Sequence, residues 1–209
     1  MRSTSARDDA SRGCRAVRGA DVIAGLLLAA GGARRFGSQK LVAPLDGIPL
    51  VRHAALALGR STDMLVMVIG YEAHAVHEAL AEVDGSIVEN SDWSQGLSSS
   101  LRSGIAALGP DVEAIVVALG DQPRIDPLVV RSLVDCWRTS GKSIVTARYR
   151  GERGHPVLFD RTMFPQLTTL RGDVGARTIF EQSPEKVAYV DVDGPVPVDV
   201  DTPQDLSTS

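Results

Sequence analysis

Several groups of residues in this chain could act together on a phosphorylated substrate. The first is GLLLAAGGARRFGSQKL, Gly25 to Leu41. An apolar run ends in Leu28, Ala29 and Ala30. Gly31 and Gly32 follow, then Arg35, Gly37 and Lys40. Glycines let a backbone approach phosphates and turn N–H groups toward them. An arginine can grip phosphate oxygens bidentately, and a lysine adds a point charge. Without context, the loop reads equally as a glycine-rich turn with solvated charges. Two common phosphate loops fail on spacing. GxGxxG needs a middle glycine that is displaced here. GxxxxGK[ST] fits Gly32 and Gly37, but Ser38 stands where the lysine should be.

A second group is NSDWSQGLSSSLRSG, Asn90 to Gly104. Gly96 opens a turn, and Ser98, Ser99 and Ser100 crowd a helix start. Free N–H groups and hydroxyls there suit a base edge or a phosphate. The same pattern also makes an ordinary serine-rich cap. A third group, ALGDQPRI, sets Asp121 after an apolar strand. Magnesium takes one or two protein carboxylates and completes its shell with water and phosphate. Asp126, just before Pro127, reads as an N-cap. The last group is VDVDTPQDL. Asp199 and Asp201 alternate and would share one face of a strand. Asp201 or Thr202 could equally cap a turn. His74 and His77 read as a solvated helix face, His53 as structural, and Trp93 and Trp137 as packing.

Such residues need elements to hold them. Apolar, β-branched runs recur at 22–28, 64–69, 86–88, 114–119 and 143–146. Helical spacing fills 50–58, 73–82, 97–108 and 128–138. That alternation implies βαβ units and a mostly parallel sheet covered on both faces. Pro49 and Pro127 stand where helices should begin. After Thr146 the alternation stops. Arg148–Phe159 reads as a hairpin with Gly151 and Gly154 flanking its turn. Short helices are expected at 161–167 and after the glycine pair of RGDVGARTIFEQ. Two short strands are expected at 187–192 and 196–200, and a last turn at Pro203.

The chain has 209 residues, of which 44% are apolar, and a net charge of −4. That suits one domain over residues 21–209. Residues 1–20 hold five arginines against Asp8 and Asp9 and read as a disordered basic tail. The rest carries −7, which argues against a nucleic-acid partner. The apolar run Val22–Ala30 is too short to span a membrane. Arg15 and Arg18 before that run resemble a secretion signal, but Asp21 interrupts it. Two cysteines, Cys14 and Cys136, make no disulfide framework, so a cytoplasmic location is expected.

LAAGGARRFGSQK resembles LAAGxSxRMGxxK, the signature of nucleotidyltransferases that attach a nucleotide to molybdopterin. Within this MobA-like NTP transferase family, the likeness is to the molybdenum cofactor cytidylyltransferases. NSDWSQGLSSSLRSG, ALGDQPRI, VDVDTPQDL, and GERGHPVLF with LRGDVGAR match further family segments in order. The resemblance implies a three-layer, Rossmann-like α/β sandwich of the nucleotide-diphospho-sugar transferase type. It implies Mg²⁺-dependent transfer from CTP to a molybdopterin-type acceptor, with pyrophosphate released. Arg35, Lys40 and Asp121 would be catalytic. Leu28, Ala29, Ala30, Gly31, Gly32, Asn90, Gly96 and Ser100 would join Arg35 and Lys40 in binding the nucleotide. Asp121 and Asp201 would hold the metal, with Asp199 as the alternative. His155, Arg171, Asp173 and Arg177 would face the acceptor. Ala33 stands where the family has serine. Two other jobs share the resemblance: an oxidoreductase of the nicotine blue oxidoreductase type, and a non-catalytic maturation factor for a molybdoenzyme client.

Overall fold

The computed structural model describes residues 21–32, 36, 39–173 and 177–208. The basic segment 1–20, with Cys14, lies outside the described residues. So do Ala33, Arg35 and Gly37. The strands are β1 (Val22–Ala29), β2 (Pro44–Leu45), β3 (Ile48–Pro49), β4 (Met64–Ile69), β5 (Ser86–Glu89), β6 (Val112–Leu119), β7 (Ile144–Tyr149), β8 (Glu152–Asp160) and β9 (Val187–Val192). The helices are α1 (Leu50–Gly59), α2 (Ala73–Leu80), α3 (Leu97–Ala106), α4 (Pro127–Ser140), α5 (Phe164–Thr169), α6 (Arg177–Gln182) and α7 (Asp205–Thr208).

Seven strands form one sheet in the order β5-β4-β1-β6-β8-β7-β9. Only β8 runs against its neighbours. β1 lies inside the sheet, parallel to both β4 and β6. Its side chains alternate between two cores, as a period of two requires. Ile23, Leu27 and Ala29 meet α1, α2 and α4 on one face. Ala24, Leu26 and Leu28 meet Leu101, Leu167 and Ile179 of α3, α5 and α6 on the other. The result is the expected three-layer α/β sandwich. Gly25 lets α1 approach β1, because a Cβ there would lie 2.7 Å from Leu58 Cγ.

The helix signals act as read. Asp126 caps α4 through Leu128 N–H at 2.8 Å, and Pro127 occupies its first turn. The expected hairpin is β7–β8, with its turn at Arg150 and Gly151, both at positive φ. Gly154 lies within β8, not beside the turn. The register slips between Thr146 and Ala147, so His155 and Pro156 form a bulge. One expectation fails: residues 196–200 make no strand. Pro195 and Pro197 remove alternate N–H donors, so a ladder cannot form. Val200 N–H instead reaches Asp121 C=O at 3.0 Å.

A buried polar link joins α4 to β8. Trp137 Nε1 donates to Asp160 Oδ2 at 2.9 Å, while Asp160 Oδ1 accepts from Thr162 N–H. Leaving a buried carboxylate short of a donor costs about 1–3 kcal/mol. Trp137→Phe should therefore lower stability by that order, read as a shifted urea midpoint at unchanged m-value. A midpoint equal to wild type would remove this link from the forces holding the layers.

Candidate active site

The carboxyl ends of β1, β4, β5 and β6 share one sheet edge, where open parallel sheets bind ligands. A cavity of about 480 Å³ opens there. Leu28, Ala29, Ala30, Gly31 and Gly32 line it, with Lys40 and Leu41. Tyr71, Trp93 and Ser94 form one wall. Gly96, Leu97, Ser100, Leu119, Asp121 and Asp173 complete it.

Lys40 opens a short 3-10 turn and is buried. Its Nζ donates to Asp121 Oδ2 at 2.8 Å and to Asp201 Oδ1 at 3.0 Å. Burial works against its charge, but the two carboxylates, Asp121 first, outweigh that and hold its pKa above the ordinary lysine value. Gln39 sets the position. Its Nε2 donates to Tyr71 C=O at 2.7 Å, and its Oε1 accepts from Leu41 N–H. Asp201 is held in turn by Asp205, whose Oδ2 accepts from the N–H groups of Asp201 and Thr202. Those two backbone bonds lower the Asp205 pKa.

The two candidate carboxylates near the chain end part company. Asp201 shares one cation with Asp121. Asp199 accepts from Gln122 Nε2 at 2.7 Å. Asp121 Oδ2 and Asp201 Oδ1 are thus the pair that converge on a single point. Two hard oxygen donors around one positive centre fit Mg²⁺ or Mn²⁺. Asp201 keeps 48% of its side chain exposed and Asp121 24%, so water and phosphate can complete such a shell.

The segment after β5 is pinned from within. Asn90 is buried and donates to Ser99 Oγ at 2.8 Å and Ser100 Oγ at 3.1 Å. Its Oδ1 accepts from Asp92 N–H. Asn90 stands behind the cavity wall, while Ser100 lines it. The amides at the start of α3, expected to be free for a ligand, already have partners. Leu97 N–H donates to Asp173 Oδ1 at 3.1 Å and Ser98 N–H to Gly172 C=O at 3.2 Å. Asp173 therefore caps α3 and also faces the cavity.

The other acceptor-side candidates scatter. His155 lies beside Leu28, Leu97 and Ser98 around a small cavity of about 30 Å³. Burial lowers its pKa, against the opposing pull of Asp199 and Asp121. Arg171 turns its guanidinium to the carbonyls of residues 168–170 and stays exposed. Arg177 opens α6, and its side chain lies outside the described residues. His74 pairs loosely with Glu78 at 3.6 Å on an exposed face, as expected.

Sequence reading missed Gln39 and Tyr71. The signals were present: Gln39 precedes the one lysine of the loop, and Tyr71 follows Gly70 at a strand end. Trp93, expected to pack, does pack against the core and also lines the cavity. It meets Tyr71 edge to face, with centroids 5.2 Å apart.

Residues 25–187 match the MobA-like NTP transferase domain. The chain belongs to this family. It is a nucleotidyltransferase-class enzyme, and its family uses divalent metals. It is 35% identical over 195 residues to nicotine blue oxidoreductase of Paenarthrobacter nicotinovorans, covering 88% of this chain and 94% of that one. It is 22% identical to the molybdenum cofactor cytidylyltransferase of Escherichia coli, covering 88% and 93%. The crystal structure of Rv0371c from Mycobacterium tuberculosis superposes with a TM-score of 0.81 at 32% identity, over 90% of this chain and 97% of that one. The same protein is known in complex with manganese, with a TM-score of 0.78 over the same shares. Among the described residues, no helix is long and apolar enough to cross a membrane.

Gly96 gives this transferase domain a specific weak point. It has φ +95, and a Cβ there would lie 2.5 Å from Asp173 Oδ1 and 2.7 Å from Gly172 C. Gly96→Ala must push residues 172–173 off the start of α3. It should cost roughly 1–3 kcal/mol. Hydrogen exchange at the Leu97 and Ser98 amides should quicken with it. Unchanged exchange at those amides would show that the 172–173 segment is not their partner in solution.

Proposed function

We propose that this protein transfers a cytidylyl group from CTP to a molybdopterin-type phosphate acceptor, with Mg²⁺, and releases pyrophosphate. The observation that carries the reading is the convergence of Asp121 and Asp201 on one cation beside the Ala29–Gly32 loop. A divalent ion held by those carboxylates supplies charge neutralisation at the phosphates. The protein's own part is positioning. Glycines 31 and 32 leave room for phosphates against the backbone. Lys40 and Arg35 take the oxygens of the leaving pyrophosphate. An acceptor phosphate oxygen forms the new bond to the α-phosphorus, and the bond to the bridging oxygen breaks. Pyrophosphate leaves with that electron pair. An acceptor already ionised needs no general base.

Strand order supports an assignment of ends. Tyr71 and Trp93 follow β4 and β5, on one side of β1. Asp121 follows β6, and His155 lies on β8, on the other side. The base then belongs at the aromatic side and the acceptor at the His155 side. A half-buried His155 suits a polar edge of the acceptor. Ala30 is buried and lines the cavity floor.

The test is direct. The protein is incubated with Mg²⁺, molybdopterin and each of the four nucleotides, and pyrophosphate is followed. Release with CTP is expected. Ala30 presents a methyl group at the base, worth roughly 1–3 kcal/mol against a bulkier ring. CTP should therefore exceed GTP by about tenfold or more in catalytic efficiency, read by competition kinetics. A preference for GTP or ATP would sink the cytidylyl assignment and leave the class standing. Asp121→Asn should cut turnover by more than the roughly 10–100-fold typical of lost outer-shell partners. Near-wild-type turnover would take Asp121 out of the metal site.

A second reading rests on the 35% identity to a protein named nicotine blue oxidoreductase. Its signature would be turnover of that dye with a reductant, and no pyrophosphate from any nucleotide.

A further inference from the structure

Lys40 and the metal compete for one position. Nζ sits 2.8 Å from Asp121 Oδ2 and 3.0 Å from Asp201 Oδ1. A divalent ion bridging those two oxygens needs the point that the ammonium fills, because Mg²⁺ binds oxygen at about 2.0–2.1 Å. Like charges so close in a half-buried site repel strongly. Both cations cannot stay there.

The local charges say what makes the exchange favourable. Two carboxylates and one lysine leave the site at −1. Removing the ammonium alone strands two carboxylates against each other, one of them three-quarters buried. Moving it requires a cation to replace it and an anion to receive it. A metal–triphosphate complex brings both. Lys40 begins beside the glycine loop and is anchored by Gln39, so its long side chain can swing while its backbone stays in place.

We propose that Lys40 is a resident cation that closes the metal site until a nucleotide's phosphates draw it away, so that metal and nucleotide load together. The proposal rests on the nucleotidyl-transfer reading for the identity of the phosphates, but not for the exchange itself. Lys40 thus has two successive partners, the carboxylate pair and then the phosphates. The metal site is latent in the nucleotide-free chain.

Mn²⁺ is the probe, and no turnover is required. Nucleotide-free wild type and Lys40→Met are titrated with Mn²⁺, and free ion is counted by electron paramagnetic resonance. Lys40→Met should bind at least about tenfold more tightly, because it removes the competing cation and leaves the carboxylates. Lys40→Met/Asp201→Asn should lose that gain. Should Lys40→Met fail to fold, Lys40→Gln carries the same titration. In wild type, Mg²⁺ alone, at concentrations that saturate the variant, should leave the hydrogen-bonded Lys40 ammonium signal unchanged by ¹⁵N NMR. Equal Mn²⁺ affinity in wild type and variant overturns the proposal. So does displacement of the Lys40 signal by Mg²⁺ alone at those concentrations. If no nucleotide yields pyrophosphate while Lys40→Met still binds Mn²⁺ tightly, the transfer reading falls and the exchange stands.

Discussion

The bond from Lys40 to Asp121 and Asp201 is the constraint around which the site is organised. Its partners lie 81 and 161 residues away in sequence. One comes from the end of β6, the other from the segment after β9. The lysine itself follows β1, an interior strand. Three chain segments that share no local structure are thereby held at one corner of the sheet. The interaction is strong because it is partly buried and charged on both sides. It is also costly to leave unbalanced.

The surrounding structure serves that corner. Gln39 ties the lysine turn to Tyr71. Asp205 holds Asp201 through two backbone N–H groups. Val200 pairs with Asp121 through the backbone, which brings the two acidic segments side by side. On the opposite rim, Asn90 locks the serines of α3, and Asp173 caps that helix. Both ends of the cavity are thus tied by hydrogen bonds between separate chain segments. The 172–173 segment is the element that contacts both α3 and the cavity.

Membership in one transferase family does not make one reaction, because function lives in sites grafted on folds. Here the site-level facts are two carboxylates around one cation, a glycine loop beside them and an aromatic wall beyond. These features line or border one cavity at the carboxyl ends of the parallel strands. Relatives at 35% and 22% identity are named for different activities.

Much of this was legible in the sequence for physical reasons. The apolar run at 22–28, followed by glycines, read as a strand buried on both faces, and the structure forms it over Val22–Ala29. Asp126–Pro127 announced a helix start because capping is local. Asp121 was recognisable as a carboxylate at a strand end, Lys40 as the lysine that closes the glycine loop, and Asp199 and Asp201 as an alternating acidic pair. What the sequence could not decide was which of these meet. Asp199 and Asp201 are equivalent by pattern, and only the path after β9 gives one to Gln122 and the other to Lys40. The strand expected at 196–200 gave way to two prolines, and the α3 amides expected to be free were claimed by Gly172 and Asp173. Backbone propensity and caps act over a few residues, so sequence determines them. Pairing of charges across 81 and 161 residues depends on how the sheet closes, so only the tertiary structure decides it.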